Sequence, residues 1–225
     1  MNIAIILAGG TGSRMSLDMP KQFALVKGKP IMAYTLSVFD NSPLIDEIYV
    51  VSHKDYFEQS RNIIKQYGFQ KVKGMFEGGN SRQESTYNAL SVIETHDDDI
   101  ILIHDCARPL VDQEIIEKNI KACEQFDAVE TAVKAVDTTI EVTNNTFENP
   151  LDRSKLYQVQ TPQTFRYKLI KEAHENAINN KLTDITDDAQ LVAKLGYKVH
   201  IVEGKKTNLK ITTDEDLKIL EALVK

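Results

Sequence analysis

A glycine-rich turn with two cations beside it is the part of this chain best suited to chemistry. Gly9, Gly10 and Gly12 follow an apolar run, and Arg14 and Lys21 come shortly after them. Glycine lets a backbone turn sharply and approach a ligand where a side chain would block it. Exposed N–H groups can surround phosphate oxygens, while the two cations add full positive charge. The residue types and their spacing therefore predict a site for a phosphate chain.

Two common phosphate-binding motifs do not match this turn. The P-loop has a Lys followed by Ser or Thr directly after its last glycine, and this turn has no such pair. The dinucleotide fingerprint Gly-x-Gly-x-x-Gly requires a third glycine where this chain has Met15. An NAD-dependent oxidoreductase is therefore disfavoured, while a structural turn with two solvated cations stays open as an alternative.

Asp105 is the residue best suited to hold a metal ion. It follows an apolar strand predicted at 100–103 and precedes Ala107, Arg108 and Pro109. Ligands of open α/β sheets bind at the carboxyl ends of strands, so this carboxylate should face the site. Mg²⁺ prefers oxygen ligands and takes one or two carboxylates together with substrate phosphates. We therefore predict that Asp105 binds Mg²⁺; a helix cap or an ion pair with Arg108 is the alternative.

Apolar runs alternate with helical patterns along most of the chain. The apolar runs predict strands at 3–7, 47–52, 100–104 and 199–203. The helical patterns predict helices at 31–39, 56–67, 81–93, 113–124, 167–179 and 214–224. This order is typical of a Rossmann-like α/β fold, a mostly parallel sheet with helices on both faces. Continuous apolar strands agree with it, because a parallel sheet is buried on both faces.

The pattern changes between 129 and 156, where short β-prone pieces replace the alternation. Pieces at 131–136 and 139–142 predict strands, and the second leads into the polar run 143–146. We interpret this region as a protruding β-arm at about 136–151 that leaves the compact body; a surface loop is the alternative. Since no internal repeat or low-complexity linker interrupts the chain, residues 1–225 are predicted to form one domain with an arm.

Length, cysteine content and charge limit the class of protein. A chain of 225 residues can bury enough surface to fold without a disulfide or a metal. Cys106 and Cys123 have no partnering spacing, and no apolar stretch is long enough to span a membrane, so we expect a cytoplasmic protein. The formal net charge of −6 argues against a nucleic-acid partner. It allows a small anionic ligand, because a local group of Arg and Lys can bind one.

Seven blocks of the sequence together resemble one family. They are 7–15 (Leu-Ala-Gly-Gly-Thr-Gly-Ser-Arg-Met), 20–23 (Pro-Lys-Gln-Phe), 103–109 (Ile-His-Asp-Cys-Ala-Arg-Pro), 135–138 (Ala-Val-Asp-Thr), 160–165 (Gln-Thr-Pro-Gln-Thr-Phe), 185–189 (Ile-Thr-Asp-Asp-Ala) and 208–212 (Asn-Leu-Lys-Ile-Thr). They are similar, in the same order, to blocks of nucleotidyltransferases that join a nucleoside triphosphate to a sugar or polyol phosphate. Within these, the chain resembles the cytidylyltransferases that act on methylerythritol 4-phosphate and on ribitol 5-phosphate. The resemblance covers almost the whole chain.

The resemblance implies transfer of CMP from CTP, with Mg²⁺ as cofactor and release of pyrophosphate. The phosphate of the acceptor attacks the α-phosphorus, and because it is already an anion, no strong base is needed. Three cations are implied to hold the transferred phosphate and are the predicted catalytic residues: Arg14, Lys21 and Lys210. The implied nucleotide-binding residues are Leu7, Ala8, Gly9, Gly10, Thr11, Gly12, Gly79, Arg82, Ser85 and Asp105.

The resemblance also implies a homodimer and a second-substrate pocket. Arg108, Thr138, Arg153 and Thr161 match positions that hold the acceptor, where a guanidinium can bind its phosphate with paired donors. In the family the arm clasps a second subunit, and its tip residues contribute to the neighbour's site. We interpret the acceptor as ribitol 5-phosphate, used for wall or capsule polymers such as teichoic acid; methylerythritol 4-phosphate of isoprenoid synthesis is the alternative. A regulatory nucleotide-binding protein stays open as a non-enzyme alternative.

The remaining reactive side chains have no predicted part in catalysis. The five histidines show no metal-ligand spacing and are predicted to be structural or on the surface. His104 should point away from Asp105, because neighbouring side chains on a strand face opposite ways. Cys106 is expected to pack as a small apolar side chain, although oxidation there could inhibit the enzyme.

Overall fold

A seven-stranded sheet forms the centre of the molecule, whose computed structural model describes residues 1–10, 19–182 and 185–224. The strands in chain order are β1 (Asn2–Ala8), β2 (Leu25–Val26), β3 (Lys29–Pro30), β4 (Glu47–Ser52), β5 (Val72–Glu77), β6 (Ile100–Asp105), β7 (Ala128–Lys134), β8 (Ile140–Thr143), β9 (Thr146–Pro150), β10 (Tyr157–Arg166) and β11 (His200–Glu203). The central sheet has the order β11-β7-β10-β6-β1-β4-β5. β10 runs antiparallel to both neighbours, and the other pairings in this sheet are parallel. The predicted mostly parallel α/β fold is confirmed.

Helices cover both faces of the sheet, as predicted. They are α1 (Ile31–Asp40), α2 (Phe57–Tyr67), α3 (Arg82–Leu90), α4 (Gln113–Phe126), α5 (Tyr167–Asn179), α6 (Asp188–Lys194) and α7 (Asp214–Leu223). α1, α2 and α4 supply apolar side chains to one core layer, and α3, α5 and α6 supply the other. None of the helices in the described ranges has the length and apolar character needed to cross a membrane.

β1 shows why the apolar runs become central strands. Ala4 and Ile6 pack into the layer of α1 and α4, whereas Ile3 and Ile5 pack into the layer of α3 and α5. All four side chains are fully buried. Because successive side chains of a strand face opposite ways, a strand covered on both faces must be apolar at every position. The continuous run at the start of the chain meets this requirement.

The register of the parallel strands brings their carboxyl ends to one edge of the sheet. Leu7 at the end of β1 pairs with Asp105 at the end of β6, and Ala8 pairs with Ser52 at the end of β4. Ser52 in turn pairs with Glu77 at the end of β5. The loops that follow these four strands therefore meet at this edge, where an open α/β sheet binds its ligands.

Among the longer elements of the compact body, β5, α6 and β10 were absent from the sequence prediction. β5 is an edge strand with a mixed polar pattern, and α6 has only seven residues, too few for a clear helical period. β10 contains Pro162, which argues against a central strand, yet it lies between β6 and β7. Its pairing with β7 shifts register between Val159 and Gln163, so the proline falls at an irregularity where no ladder hydrogen bond is needed.

The β-prone region at 129–156 divides into two parts. β7, which includes Thr131, belongs to the central sheet between β11 and β10 and precedes the arm predicted at 136–151. β8 and β9 form a separate two-stranded sheet whose residues are all exposed. We keep the name arm for residues 136–151, which carry this hairpin. Its role in dimer formation remains a prediction.

Candidate active site

A cavity of about 550 Å³ lies at the carboxyl edge of the sheet. Its size lies within the range that holds small organic ligands. Ten predicted site residues line it, namely Leu7, Ala8, Gly9, Gly10, Lys21, Gly79, Arg82, Ser85, Asp105 and Lys210. The structure therefore brings together residues that lie more than 200 positions apart in the chain. Thr11, Gly12 and Arg14, which were predicted beside them, lie outside the described residues.

Gln22 fixes the glycine-rich turn against the segment that carries Lys21. Its side-chain amide is buried and donates hydrogen bonds to the carbonyl oxygens of Ala8 (2.7 Å) and Gly10 (3.0 Å). Lys21 begins a short 3₁₀ turn whose last residue, Phe23, is packed in the core. The turn and the ammonium group are thus held on the same wall of the cavity by a buried side chain.

The amino-terminal end of α3 forms another wall. Ser81 caps this helix by accepting a hydrogen bond from the backbone N–H of Glu84 (3.0 Å). The Ser85 hydroxyl accepts a hydrogen bond from the Gly79 N–H (3.0 Å) and holds that residue close to the helix. A Cβ at position 79 would lie 2.2 Å from Cγ of Glu84, so the close approach requires glycine. The positive end of the helix dipole therefore faces the cavity, as an anion site requires.

Asp105 stands at the floor of the cavity between two cations. One carboxylate oxygen accepts a hydrogen bond from Nζ of Lys210 at 2.7 Å, and the other lies 3.4 Å from Nε of Arg82. Burial alone would raise the pKa of Asp105, but the charges of Arg82 and Lys210 outweigh it and hold that pKa well below its usual range. Asp105 is therefore an ionised carboxylate at neutral pH.

Thr161, predicted to hold the acceptor, supports Asp105 from behind. Its hydroxyl oxygen accepts a hydrogen bond from the Asp105 N–H at 3.0 Å and lies 3.0 Å from Nδ1 of His104. Nε2 of His104 faces the carbonyl oxygen of Arg108 at 3.1 Å, so it carries the proton and Nδ1 accepts from Thr161. Burial lowers the pKa of His104 to about 4, which keeps the ring neutral. Within this chain, Thr161 and His104 hold the Asp105 backbone.

Arg108, another predicted acceptor ligand, is buried and does not line the cavity. Its two terminal nitrogens donate to the carbonyl oxygens of Asn208 (2.8 Å) and Val159 (3.1 Å). Asn208 in turn donates to the Thr161 carbonyl oxygen at 2.9 Å. Binding of the acceptor phosphate by this guanidinium stays a prediction, since each terminal nitrogen carries a second N–H group. Within this chain, Arg108 anchors the loop that carries Lys210.

Thr138 and Arg153 lie away from the cavity, at the base of the arm. Both residues are exposed, and Nη1 of Arg153 donates to the Val136 carbonyl oxygen at 2.9 Å. A second-substrate pocket made from Arg108, Thr138, Arg153 and Thr161 is therefore not assembled within one chain.

The cavity also contains residues that the sequence did not assign. They are Gln22, His53, Asn80, Ser81, Cys106, Ala107 and Thr212. Gln22, Cys106 and Ala107 lie inside the sequence blocks that resemble the family. Their position next to predicted ligands could therefore have identified them as cavity residues. His53 had none, because it enters only through the pairing of β1 with β4. Burial raises the pKa of the Cys106 thiol to about 12, which agrees with its predicted role as a packing residue.

Comparison with known proteins agrees with this geometry. Residues 2–225 match the family model described as IspD: 2-C-methyl-D-erythritol 4-phosphate cytidylyltransferase. A 2-C-methyl-D-erythritol 4-phosphate cytidylyltransferase of Clostridium acetobutylicum is 44% identical over 227 residues, covering 100% of this chain and 98% of the relative. The 2-C-methyl-D-erythritol 4-phosphate cytidylyltransferase of Geotalea uraniireducens is 41% identical over 224 residues, covering 99% of this chain and 96% of the relative.

A solved structure supports the same relationship. The 2-C-methyl-D-erythritol 4-phosphate cytidylyltransferase of Francisella tularensis superimposes with a TM-score of 0.85 at 33% identity, covering 99% of both chains. The match thus extends through the whole fold, including the segments that the sequence prediction missed. The chain belongs to the IspD family of cytidylyltransferases and is a nucleotidyltransferase.

Proposed function

We propose that this enzyme transfers CMP from CTP to 2-C-methyl-D-erythritol 4-phosphate and releases pyrophosphate. The observation that carries the proposal is the group of Lys210, Arg82 and Asp105 in a cavity bounded by a glycine turn and a helix amino terminus. Such a cavity suits a nucleoside triphosphate, and the family match supports CTP as that nucleotide. Membership of an enzyme family argues against a purely regulatory nucleotide-binding protein.

The acceptor differs from the one favoured by the sequence. The motif comparison favoured ribitol 5-phosphate, but the relatives at 44% and 41% identity are both named for 2-C-methyl-D-erythritol 4-phosphate. These findings support the alternative acceptor, and with it a role in isoprenoid rather than teichoic acid synthesis. Short motifs shared by two enzyme groups carry little information about the acceptor, because most of them hold the nucleotide common to both.

The reaction needs positioned cations more than a base. A phosphate oxygen of the acceptor attacks the α-phosphorus of CTP, and the bond from that phosphorus to the β-phosphate oxygen breaks. Pyrophosphate leaves with the electron pair, and no proton has to be removed from the nucleophile. Lys21 and Lys210 neutralise the charges of the two approaching anions, while the amino-terminal end of α3 adds the positive end of its dipole.

The residues of the cavity fit a magnesium ion. Among the described residues that line it, Asp105 is the one carboxylate, and neighbouring positive charges keep it ionised. Mg²⁺ bound to a nucleotide commonly uses one protein carboxylate, with phosphate oxygens and water completing its ligands. Asp105 would hold the ion, which would supply positive charge to the phosphate oxygens. The neighbouring lysine and arginine lack donor oxygens and would act on the phosphates directly.

The arm supports a homodimeric enzyme. Val142 and Phe147 leave more than half of their surface exposed on a two-stranded hairpin, which is a marginal structure in water. Docking on a second copy would bury these side chains and could bring Thr138 and Arg153 to the neighbouring cavity, where they would bind the acceptor. This arrangement would account for two predicted ligands that lie away from the cavity of their own chain. A cytoplasmic location stays a prediction.

An acceptor comparison tests the proposed function. CTP-dependent release of pyrophosphate is measured with 2-C-methyl-D-erythritol 4-phosphate and with ribitol 5-phosphate, using Lys21→Ala as the control for contaminating enzymes. We expect kcat/KM to be at least about tenfold higher for the methylerythritol compound. The reverse preference would change the acceptor alone. CTP binding without release of pyrophosphate from CTP in the presence of either acceptor would instead support a regulatory protein.

A further inference from the structure

Arg82 is held on three sides by groups from three different elements. Nη1 pairs with Asp188 at the start of α6, and Nη2 donates to Oε1 of Gln163 on β10 at 3.2 Å. Nε faces Asp105 on β6 at 3.4 Å. Two terminal nitrogens of the guanidinium thus pair with groups from β10 and α6, whereas Asp105 receives one long contact from Nε.

The groups that draw Arg82 inwards lie behind the cavity. The side chain of Asp188 is 1% exposed and that of His174 is 0% exposed, and neither residue lines the cavity. Nε2 of His174 donates to the second carboxylate oxygen of Asp188 at 3.0 Å. The Asp188 N–H also donates to Oε1 of Gln163 at 3.2 Å. Residues of β10 and α5 therefore fix the position of Asp188 independently of Arg82.

Competition between two carboxylates follows from this arrangement. A guanidinium pairs best with a carboxylate through two parallel hydrogen bonds. Asp105 receives one long contact from Arg82, while its other oxygen is occupied by Lys210. Each oxygen of Asp105 thus already meets one cation, but the contact with Arg82 is long. Without the charge of Asp188, two nitrogens of Arg82 would be free to pair with Asp105 at close hydrogen-bond distance. A metal ion would then have to displace this pair to reach its protein ligand.

We propose that Asp188 and His174 are positioning residues that keep the contact between Arg82 and Asp105 long, so that the divalent cation of the nucleotide can reach the Asp105 carboxylate. The inference rests on the proposed function, because it takes Asp105 as the metal ligand. It extends the site to two side chains on α5 and α6 that do not line the cavity.

Metal-dependent binding of CTP tests this inference. Titration calorimetry measures the affinity for CTP with excess chelator and with rising MgCl₂, without acceptor, for the parent, Asp188→Asn and Asp187→Asn. Asp187→Asn is the matched control, since it removes a neighbouring carboxylate and asparagine caps α6 as well as aspartate does. For Asp188→Asn we expect the Mg²⁺ concentration at half-effect to rise by about tenfold, with metal-free CTP affinity within about twofold of the parent.

Substitutions of His174 keep the inference testable should Asp188→Asn fold poorly. His174→Phe keeps the ring but removes the donor, and we expect the Mg²⁺ requirement to rise in the same direction. His174→Gln retains an N–H donor and should restore most of the parent behaviour. Thermal unfolding of each variant separates loss of fold from loss of metal response.

The possible outcomes separate the two proposals. Identical Mg²⁺ dependence in the parent, Asp188→Asn and His174→Phe would overturn the positioning role while leaving the proposed function intact. Equal loss of metal-free and metal-dependent CTP binding would overturn it as well, since that pattern indicates general damage to the cavity. A parent enzyme with no magnesium response would instead remove the metal role of Asp105 on which the inference rests.

Discussion

The cavity region and the arm differ in which side chains they bury: charged side chains are buried around the cavity, whereas large apolar side chains are exposed on the arm. Asp105 at the cavity floor and Asp188 behind it are buried charges, each paired with Arg82 or Lys210. On the arm, Val142 and Phe147 are apolar but 53% and 59% exposed. Burying a charge and exposing a large apolar side chain both cost free energy in an isolated chain.

The difference indicates where each region finds its partner. The cavity charges pair mainly with one another within the chain, and a phosphate ligand would extend an existing network. The apolar side chains of the arm have no comparable cover among the described residues, so a second copy of the chain is the partner that we propose. Four changes test this contrast, and their expected effects decrease in the order given.

Loss of Lys21 should cause the largest change. Lys21→Ala removes a cation from the cavity wall while Phe23 keeps the turn packed in the core. Because one well-positioned donor contributes about 10²- to 10³-fold in rate, turnover should fall by at least about 10². Steady-state pyrophosphate release measures the effect, with Lys65→Ala on the exposed side of α2 as the control. A folded variant with near-parent turnover would remove Lys21 from the catalytic group.

Neutralising Asp105 should have the next largest effect. Asp105→Asn keeps the shape but loses the charge that balances Arg82 and Lys210. We expect turnover to fall by about 10²-fold and the Mg²⁺ requirement to rise at the same time. Turnover measured across a range of MgCl₂ concentrations checks both changes. If rate and metal dependence match the parent, Asp105 is a structural residue.

A charge on the arm should separate acceptor use from nucleotide binding. Phe147→Asp would force a carboxylate into the proposed dimer contact, at a cost of about 3 kcal/mol or more. We expect a shift to monomer in sedimentation and about a tenfold loss of kcat/KM for the acceptor, while CTP affinity stays unchanged. Val92→Asp is the control, because Val92 is an equally exposed apolar residue outside the arm. A fully active monomer would contradict the proposed role of the arm.

The smallest effect concerns Glu130, which accepts a hydrogen bond from Nε2 of Gln163 at 2.6 Å. Burial, followed by the charge of Asp187, raises the pKa of Glu130 from its usual 4.5 to about 7. The folded state therefore binds this proton more tightly than the unfolded chain. The resulting stability is complete below about pH 4.5 and is lost as the pH rises through about 7.

Glu130→Gln mimics the protonated form and should remove this pH dependence. The difference in the free energy of unfolding, variant minus parent, should be about 1 kcal/mol larger at about pH 8 than at about pH 5.5. This value is reduced for partial solvent screening. Urea unfolding at both pH values measures it, with Glu172→Gln on the exposed face of α5 as the control. A constant difference between variant and parent at the two pH values would show that Glu130 does not titrate in this range.

Most of the fold could be predicted from local pattern. Continuous apolar runs predicted β1, β4 and β6, since a strand buried on both faces needs an apolar residue at every position. The helices α1, α4 and α5 follow from their amphipathic period. β5, β10 and α6 have no such local signal, because pairing and burial against distant residues decide their structure.

The residues that line the cavity also divide into those that local sequence predicted and those that it did not. The glycine turn, Lys21 and Asp105 were predicted from residue types and local order, which carry the chemistry of phosphate binding, and Lys210 was predicted from the family resemblance. The sequence by itself therefore determined the sheet architecture, the ligand class and the cations.

Only the tertiary structure decided what each polar group contacts. It turned Arg108 and Thr161 towards carbonyl and amide groups of this chain, and it joined Arg82 to Asp188 across 106 positions. Hydrogen bonds and ion pairs act over a few ångströms in space and carry no trace in sequence spacing. The partner of a buried charge is therefore known only when the chain has folded.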